Sequence, residues 1–134
     1  MSFDEFVHNA SVPALARTTG PGRSTRHGLH ATHLRKWFEL FDRNQILVLG
    51  YDELKDHPQQ LQERIQTFLG RTFPGRLRRS NSNDSQYKIQ LPSYEANETL
   101  LATFAPLNEN LYELLESNPG PSMEQRPFPR FQES

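Results

Sequence analysis

Residues 33–70 read HLRKWFELFDRNQILVLGYDELKDHPQQLQERIQTFLG, and this stretch decides the fold. Its pattern divides into an amphipathic helix, a short apolar strand and a second amphipathic helix, which together make an α/β unit. In the first helix Leu34, Trp37, Phe38 and Phe41 recur at helical spacing and form one stripe, with Arg35, Lys36 and Glu39 turned away. Asp42, Arg43 and Asn44 then stop it. Ile46, Leu47, Val48 and Leu49 show no polar alternation, so the strand expected at about 45–50 is of the buried, parallel type, covered on both faces. Such a strand needs neighbours on either side to take its backbone hydrogen bonds.

After Gly50, the residues Tyr51, Asp52, Glu53 and Leu54 read as one helical turn beyond the carboxyl end of the strand, where open α/β sheets build their sites. Asp56 is the expected N-cap of the next helix, with Pro58 in its first turn, where no intrahelical use exists for an amide hydrogen. Leu61, Ile65, Phe68 and Leu69 repeat at helical spacing, and Gly70 is suited to end the helix in the left-handed conformation.

The aromatic helix of the form HL-x-x-W-x-x-x-F, followed by QILVLGYDEL and a proline-started helix closing on Phe68-Leu69-Gly70, resembles the C-terminal half of a sulfotransferase domain. The nearest branch is the heparan-sulfate and related carbohydrate sulfotransferases. Glu53-Leu54 matches that family's acidic-Leu pair, and Phe104, Pro106, Asn108 and Leu111 match recurrent residues of its closing helices. The opening SFDEFV is similar to the segment ahead of the central helix, so the likeness covers most of residues 2–115. The resemblance implies a partial P-loop-NTPase-like fold, mostly helical with one short strand, spanning 1–117 and followed by a proline-rich tail at 118–134. It also implies 3′-phosphoadenosine 5′-phosphosulfate as co-substrate and a hydroxyl acceptor, on a carbohydrate.

Composition sets outer bounds. The chain has 134 residues, 34% of them hydrophobic, which suffices for one lean domain. With 15 Lys and Arg against 16 Asp and Glu, the net charge is −1, so no global field recruits nucleic acid or a membrane surface. There are no cysteines, hence no disulfides or thiolate sites. No apolar run of about 18 residues exists to span a bilayer, and no signal-peptide core is present. These features point to a soluble chain, with the cytoplasm favoured.

Phe3, Phe6 and Val7 give a helical signal before Pro13, and residues 17–28, RTTGPGRSTRHG, read as a loop that in the family lies near the acceptor. His27, His30 and His33 are spaced by three, but the helix is expected to begin near Leu29, so they do not share a face. With no carboxylate or Cys completing a ligand set, no metal is expected. The family places an aromatic residue near His30, which implies acceptor contact for His27 and His30. Residues 71–92, RTFPGRLRRSNSNDSQYKIQLP, set cations beside hydroxyls and amides, a composition suited to phosphate because guanidinium gives bidentate bonds to its oxygens. Heparan-type members carry a basic loop here over the nucleotide 3′-phosphate, which implies that role for Arg78, Arg79 and Lys88, although the family's Lys-Gly-Arg run is not present. Ser93 is expected to cap a helix that breaks at Ala105-Pro106, with a second helix resuming at Leu107.

Sulfuryl transfer requires a cradle for the phosphosulfate, a cation for the leaving phosphate and a base for the acceptor proton. In the family a Gly-containing loop with a Lys, opening a helix after the first strand, supplies the cradle and the cation. The only Gly-rich stretch here, Gly20-Pro21-Gly22-Arg23-Ser24, has no apolar strand ahead of it, and its proline removes an amide. The expectation is therefore a sulfotransferase-like chain, inactive alone, whose strand neighbours lie in a missing N-terminal half or a partner chain. The alternative is a non-catalytic truncated paralogue acting as a protein-interaction module.

Overall fold

The computed structural model describes residues 28–78 and 93–131. These fall into two compact units, 28–37 with 93–114 and 38–78 with 115–131. The expected N-terminal helix and all but Gly28 of the expected loop at 17–28 lie outside the described residues.

Helices α1 (His30–Leu40) and α4 (Tyr94–Ser117) supply most of the first unit. Helix α4 begins as expected, with the Ala96 amide donating to Ser93 Oγ at 3.1 Å and the Asn97 amide to the Ser93 carbonyl at 3.0 Å. The expected break at Pro106 does not occur: α4 runs through it without interruption. Its buried positions explain why. Ala96, Thr103, Leu111 and Leu115 are buried and remain in helical phase on either side of the proline. One continuous stripe outweighs one lost hydrogen bond. The buried Thr103 hydroxyl is satisfied within the helix, donating to the Thr99 carbonyl at 2.7 Å.

Helix α1 departs from its expected packing. Ala31 is buried, but of the expected stripe Trp37 is 55% and Phe41 46% exposed and Leu34 and Phe38 are only half-buried, so the stripe is not a buried core face in this structure.

In the second unit a 3-10 turn, Arg43–Gln45, follows α1, capped by Asp42, whose side chain accepts the Asn44 amide at 2.8 Å. Residues 46–50 then carry no regular secondary structure, and the segment is extended at both ends, with Ile46 at φ −119° and ψ 118° and Gly50 at φ −84° and ψ 137°. The strand expected at 45–50 is corrected here: no strand occurs among the described residues, and Ile46 to Leu49 are half-buried rather than covered on both faces. Extended backbone becomes a strand only when another extended chain takes its hydrogen bonds. Here side chains take the Ile46 carbonyl and the Val48 and Gly50 amides, as set out below.

Helices α2 (Tyr51–Asp56) and α3 (Pro58–Leu69) follow and pack on each other, with Leu61 buried. The N-cap of α3 is His57, not Asp56, which is still helical in α2. The residue before a proline is driven out of the helical region, and His57 sits at φ −136° and ψ 54°. At the far end Gly70 takes φ 63°, as its position suggested. The Gly70 amide donates to the Thr67 carbonyl at 3.3 Å and the Arg71 amide to the Gln66 carbonyl at 3.1 Å, which closes the last turn. No helix among the described residues is long and apolar enough to cross a membrane.

Candidate functional site

Beyond Gly70 the chain folds back along α3, and one side chain holds it there. Gln62 donates through Nε2 to the Gly75 carbonyl at 2.9 Å and accepts the Leu77 amide on Oε1 at 2.6 Å. Gln59 Nε2 reaches the Leu77 carbonyl at 3.4 Å. An amide side chain has both a donor and an acceptor, so Gln62 can bind the backbone on both sides of Arg76 at once. Gly75 makes the turn at φ 88°, a conformation open to glycine. Arg71, Arg76 and Arg78 are all exposed along this return. The loop thus presents guanidinium groups from a backbone fixed at its root, an arrangement suited to an anion with several oxygens.

Of the residues that sequence reasoning singled out, Arg78 lies at the end of this clamped loop and His30 is the exposed first residue of α1, in the other unit. Arg79, Lys88 and His27 fall outside the described residues. No group of His, Cys, Asp or Glu able to hold a metal ion is present among the described residues.

The second unit also contains buried charge that no pattern in the sequence announces. Arg43 uses every nitrogen of its guanidinium: Nε donates to the Asn118 carbonyl at 2.8 Å, Nη1 to the Ile46 carbonyl at 2.6 Å, and Nη2 pairs with Glu124. Its plane lies over the Phe38 ring, 4.6 Å from the centroid. Glu124 in turn accepts the Val48 amide on Oε2 at 3.0 Å. The extended segment therefore receives its partners from an arginine and a carboxylate.

A second pair stands beside it. Glu53 receives the Gly50 amide on Oε1 at 3.1 Å, closing the start of α2, and its Oε2 pairs with Arg64 Nη1. Arg64 Nε donates to the Met123 carbonyl at 2.6 Å, while its Nη2 is buried without a hydrogen bond. Burial pushes the Arg64 guanidinium below its usual range, and the nearby Glu124 carboxylate pulls it back up. The contact of Gly50 with Glu53 is local, three residues apart, but was not among the expectations from sequence. Nothing in the sequence pairs Arg43 with a carboxylate 81 residues away.

Past Gly50 lies a cavity of about 190 Å³, bounded by Asp52, Asp56 and His57 on one side and by Gln125, Pro129 and Phe131 on the other.

Comparison with known proteins gives a consistent result. The model of the sulfotransferase domain matches residues 3–102. Over 71 residues the chain is 31% identical to the bifunctional heparan sulfate N-deacetylase/N-sulfotransferase 2 of Homo sapiens, covering 53% of this chain and 8% of that protein. Over 45 residues it is 42% identical to the bifunctional heparan sulfate N-deacetylase/N-sulfotransferase 1 of Mus musculus, covering 34% of this chain and 5% of that protein. Sulfotransferase 1A1 of Rattus norvegicus is 26% identical over 97 residues, covering 72% of this chain and 30% of the relative. The chain thus spans less than a third of the length of these relatives. No solved structure matches it.

Proposed function

The chain belongs to the sulfotransferase domain family, and from that premise we propose that it is the nucleotide-gripping and acceptor-facing portion of an enzyme that moves a sulfuryl group from 3′-phosphoadenosine 5′-phosphosulfate to a carbohydrate hydroxyl. The observation that carries this reading is the grip of Gln62 on Gly75 and Leu77, which roots the basic loop on α3. A rooted loop presents its guanidinium groups with less ordering cost on binding than a free one. In this reading Arg78, Arg79 and Lys88 hold the 3′-phosphate, and His27 and His30 face the acceptor.

During transfer the acceptor oxygen bonds to sulfur as the bond from sulfur to the 5′-phosphate oxygen breaks, and the hydroxyl proton passes to a base. The departing phosphate needs a cation and a cradle of backbone amides. We assign those to residues outside this sequence, in an N-terminal half or a partner chain, so that this chain binds nucleotide but does not turn over alone. Resident metal has no part in the scheme.

The test is a thermal-shift titration with adenosine 3′,5′-bisphosphate, the nucleotide product. At a hundred times the dissociation constant, bound nucleotide stabilises the fold by roughly 2.7 kcal/mol, a readable rise in melting temperature. The expected result is a saturable rise that is lost when Arg78 and Arg79 are both changed to Ala. A cooperative melt that nucleotide does not move overturns the donor reading.

The half-burial of the apolar residues Ile46 to Leu49 favours a second reading, a non-catalytic module that meets another protein through this segment. Sedimentation velocity across a concentration series distinguishes it: association supports the module, and a clean monomer at all concentrations counts against it.

A further inference from the structure

Residues 118–131 leave the end of α4 and return to the extended segment, touching it or its supports at successive points. Arg43 Nε donates to the Asn118 carbonyl at 2.8 Å. Gly120 is buried, and its backbone lies so close to the Arg43 guanidinium that a Cβ there would overlap it. The Met123 carbonyl accepts Arg64 Nε at 2.6 Å. Glu124, whose side chain is 4% exposed, pairs with Arg43 and takes the Val48 amide at 3.0 Å. At Gly50 an added Cβ would stand 3.5 Å from Pro129 Cγ, so the tail reaches the end of the segment as well as its middle. Gln125, Pro129 and Phe131 then form one wall of the cavity beyond Gly50.

The Val48 amide and the Ile46 carbonyl are groups an adjacent strand would use, and both are already taken, by Glu124 and by Arg43. We propose that residues 118–131 are a strap, latched by Glu124 to Arg43 and Val48, that withholds the extended segment 46–50 from strand pairing and closes the cavity at its end. Two features make this a built device. Gly120 leaves room for the guanidinium where a Cβ would force it to shift, and a single carboxylate serves both the cation and the amide. Releasing Glu124 therefore loosens the strap and frees the Val48 amide in one step. The inference does not depend on the donor reading, since no nucleotide takes part in it.

Hydrogen exchange read by mass spectrometry, with limited trypsin cleavage at Arg130, tests it in the full chain. Glu124→Gln keeps the shape but has one acceptor oxygen for two donors. Gly120→Ala attacks the latch from the other side without removing a charge. Each is expected to speed exchange at 46–50 and cleavage at Arg130 by about tenfold or more, the scale of one charged hydrogen bond, while α3 keeps its protection. Unchanged exchange at 46–50 in both variants overturns the proposal. So does a rise that appears equally across α3, because Glu124 is then a support of the whole unit and not a latch.

Discussion

Arg64 donates through Nε to the Met123 carbonyl at 2.6 Å, so the middle of α3 is fastened to the tail by a guanidinium that also pairs with Glu53. Both charges of that pair are largely buried, at 19% and 11% side-chain exposure, and a buried charge left without its partner is costly. Changing Arg64 to Met is expected to lower the unfolding free energy by about 3 kcal/mol. Adding Glu53→Gln should recover part of the loss, because the amide oxygen of a glutamine still accepts the Gly50 amide and leaves no charge stranded. Urea unfolding of the two single variants and the double variant measures the coupling.

Arg43→Lys separates charge from geometry. An ammonium on a flexible stem cannot reach the Asn118 and Ile46 carbonyls, the Glu124 carboxylate and the Phe38 ring together. The expected cost is about 2 kcal/mol although the charge is kept. A variant as stable as the parent in urea would mean that the positive charge alone matters at this position.

Pro106 stands inside α4, where it gives no hydrogen bond and crowds the preceding turn. Pro106→Ala should raise stability by about 2 kcal/mol, the helical gain less the added freedom of the unfolded chain. A lower urea midpoint instead would show that the proline sets the course of the helix.

Gln62→Leu keeps the bulk of the side chain and removes both bonds to the basic loop. Stability should fall by only about 1 kcal/mol, but trypsin should cut faster after Arg76 and Arg78, and the nucleotide-induced rise in melting temperature should shrink. Loss of the rise with unchanged cleavage would place Gln62 in contact with the nucleotide and not in support of the loop.

What the sequence disclosed was mostly local. Helix α3 and its Gly70 end could be read because Pro58, Gly70 and the spacing of Leu61, Ile65 and Phe68 act within a few residues of themselves, although its N-cap is His57 and α2 runs on to Asp56. The strand at 45–50 could not be decided in the same way, since an apolar run specifies burial but not which groups will take its hydrogen bonds. At Pro106 a correct local rule was outweighed by a stripe extending from Ala96 to Leu115. For the candidate site, the charge of the basic loop was plain in the composition, whereas the grip of Gln62 on it had no signature. Arg43 and Glu124 were invisible as a pair because their meeting depends on the return of the tail.

That return also imposes an order in time. The Gly50 amide finds its Glu53 acceptor three residues later, but the Val48 amide waits for a carboxylate 76 residues further along. At about 5–20 residues per second, synthesis leaves an interval of roughly 4–15 s between the two. For that interval the most apolar run of the nascent polypeptide is complete while the group that finishes its hydrogen bonding has yet to be made. A slowed ribosome would lengthen the exposure, and a chaperone that holds extended apolar segments would find residues 46–49 during it.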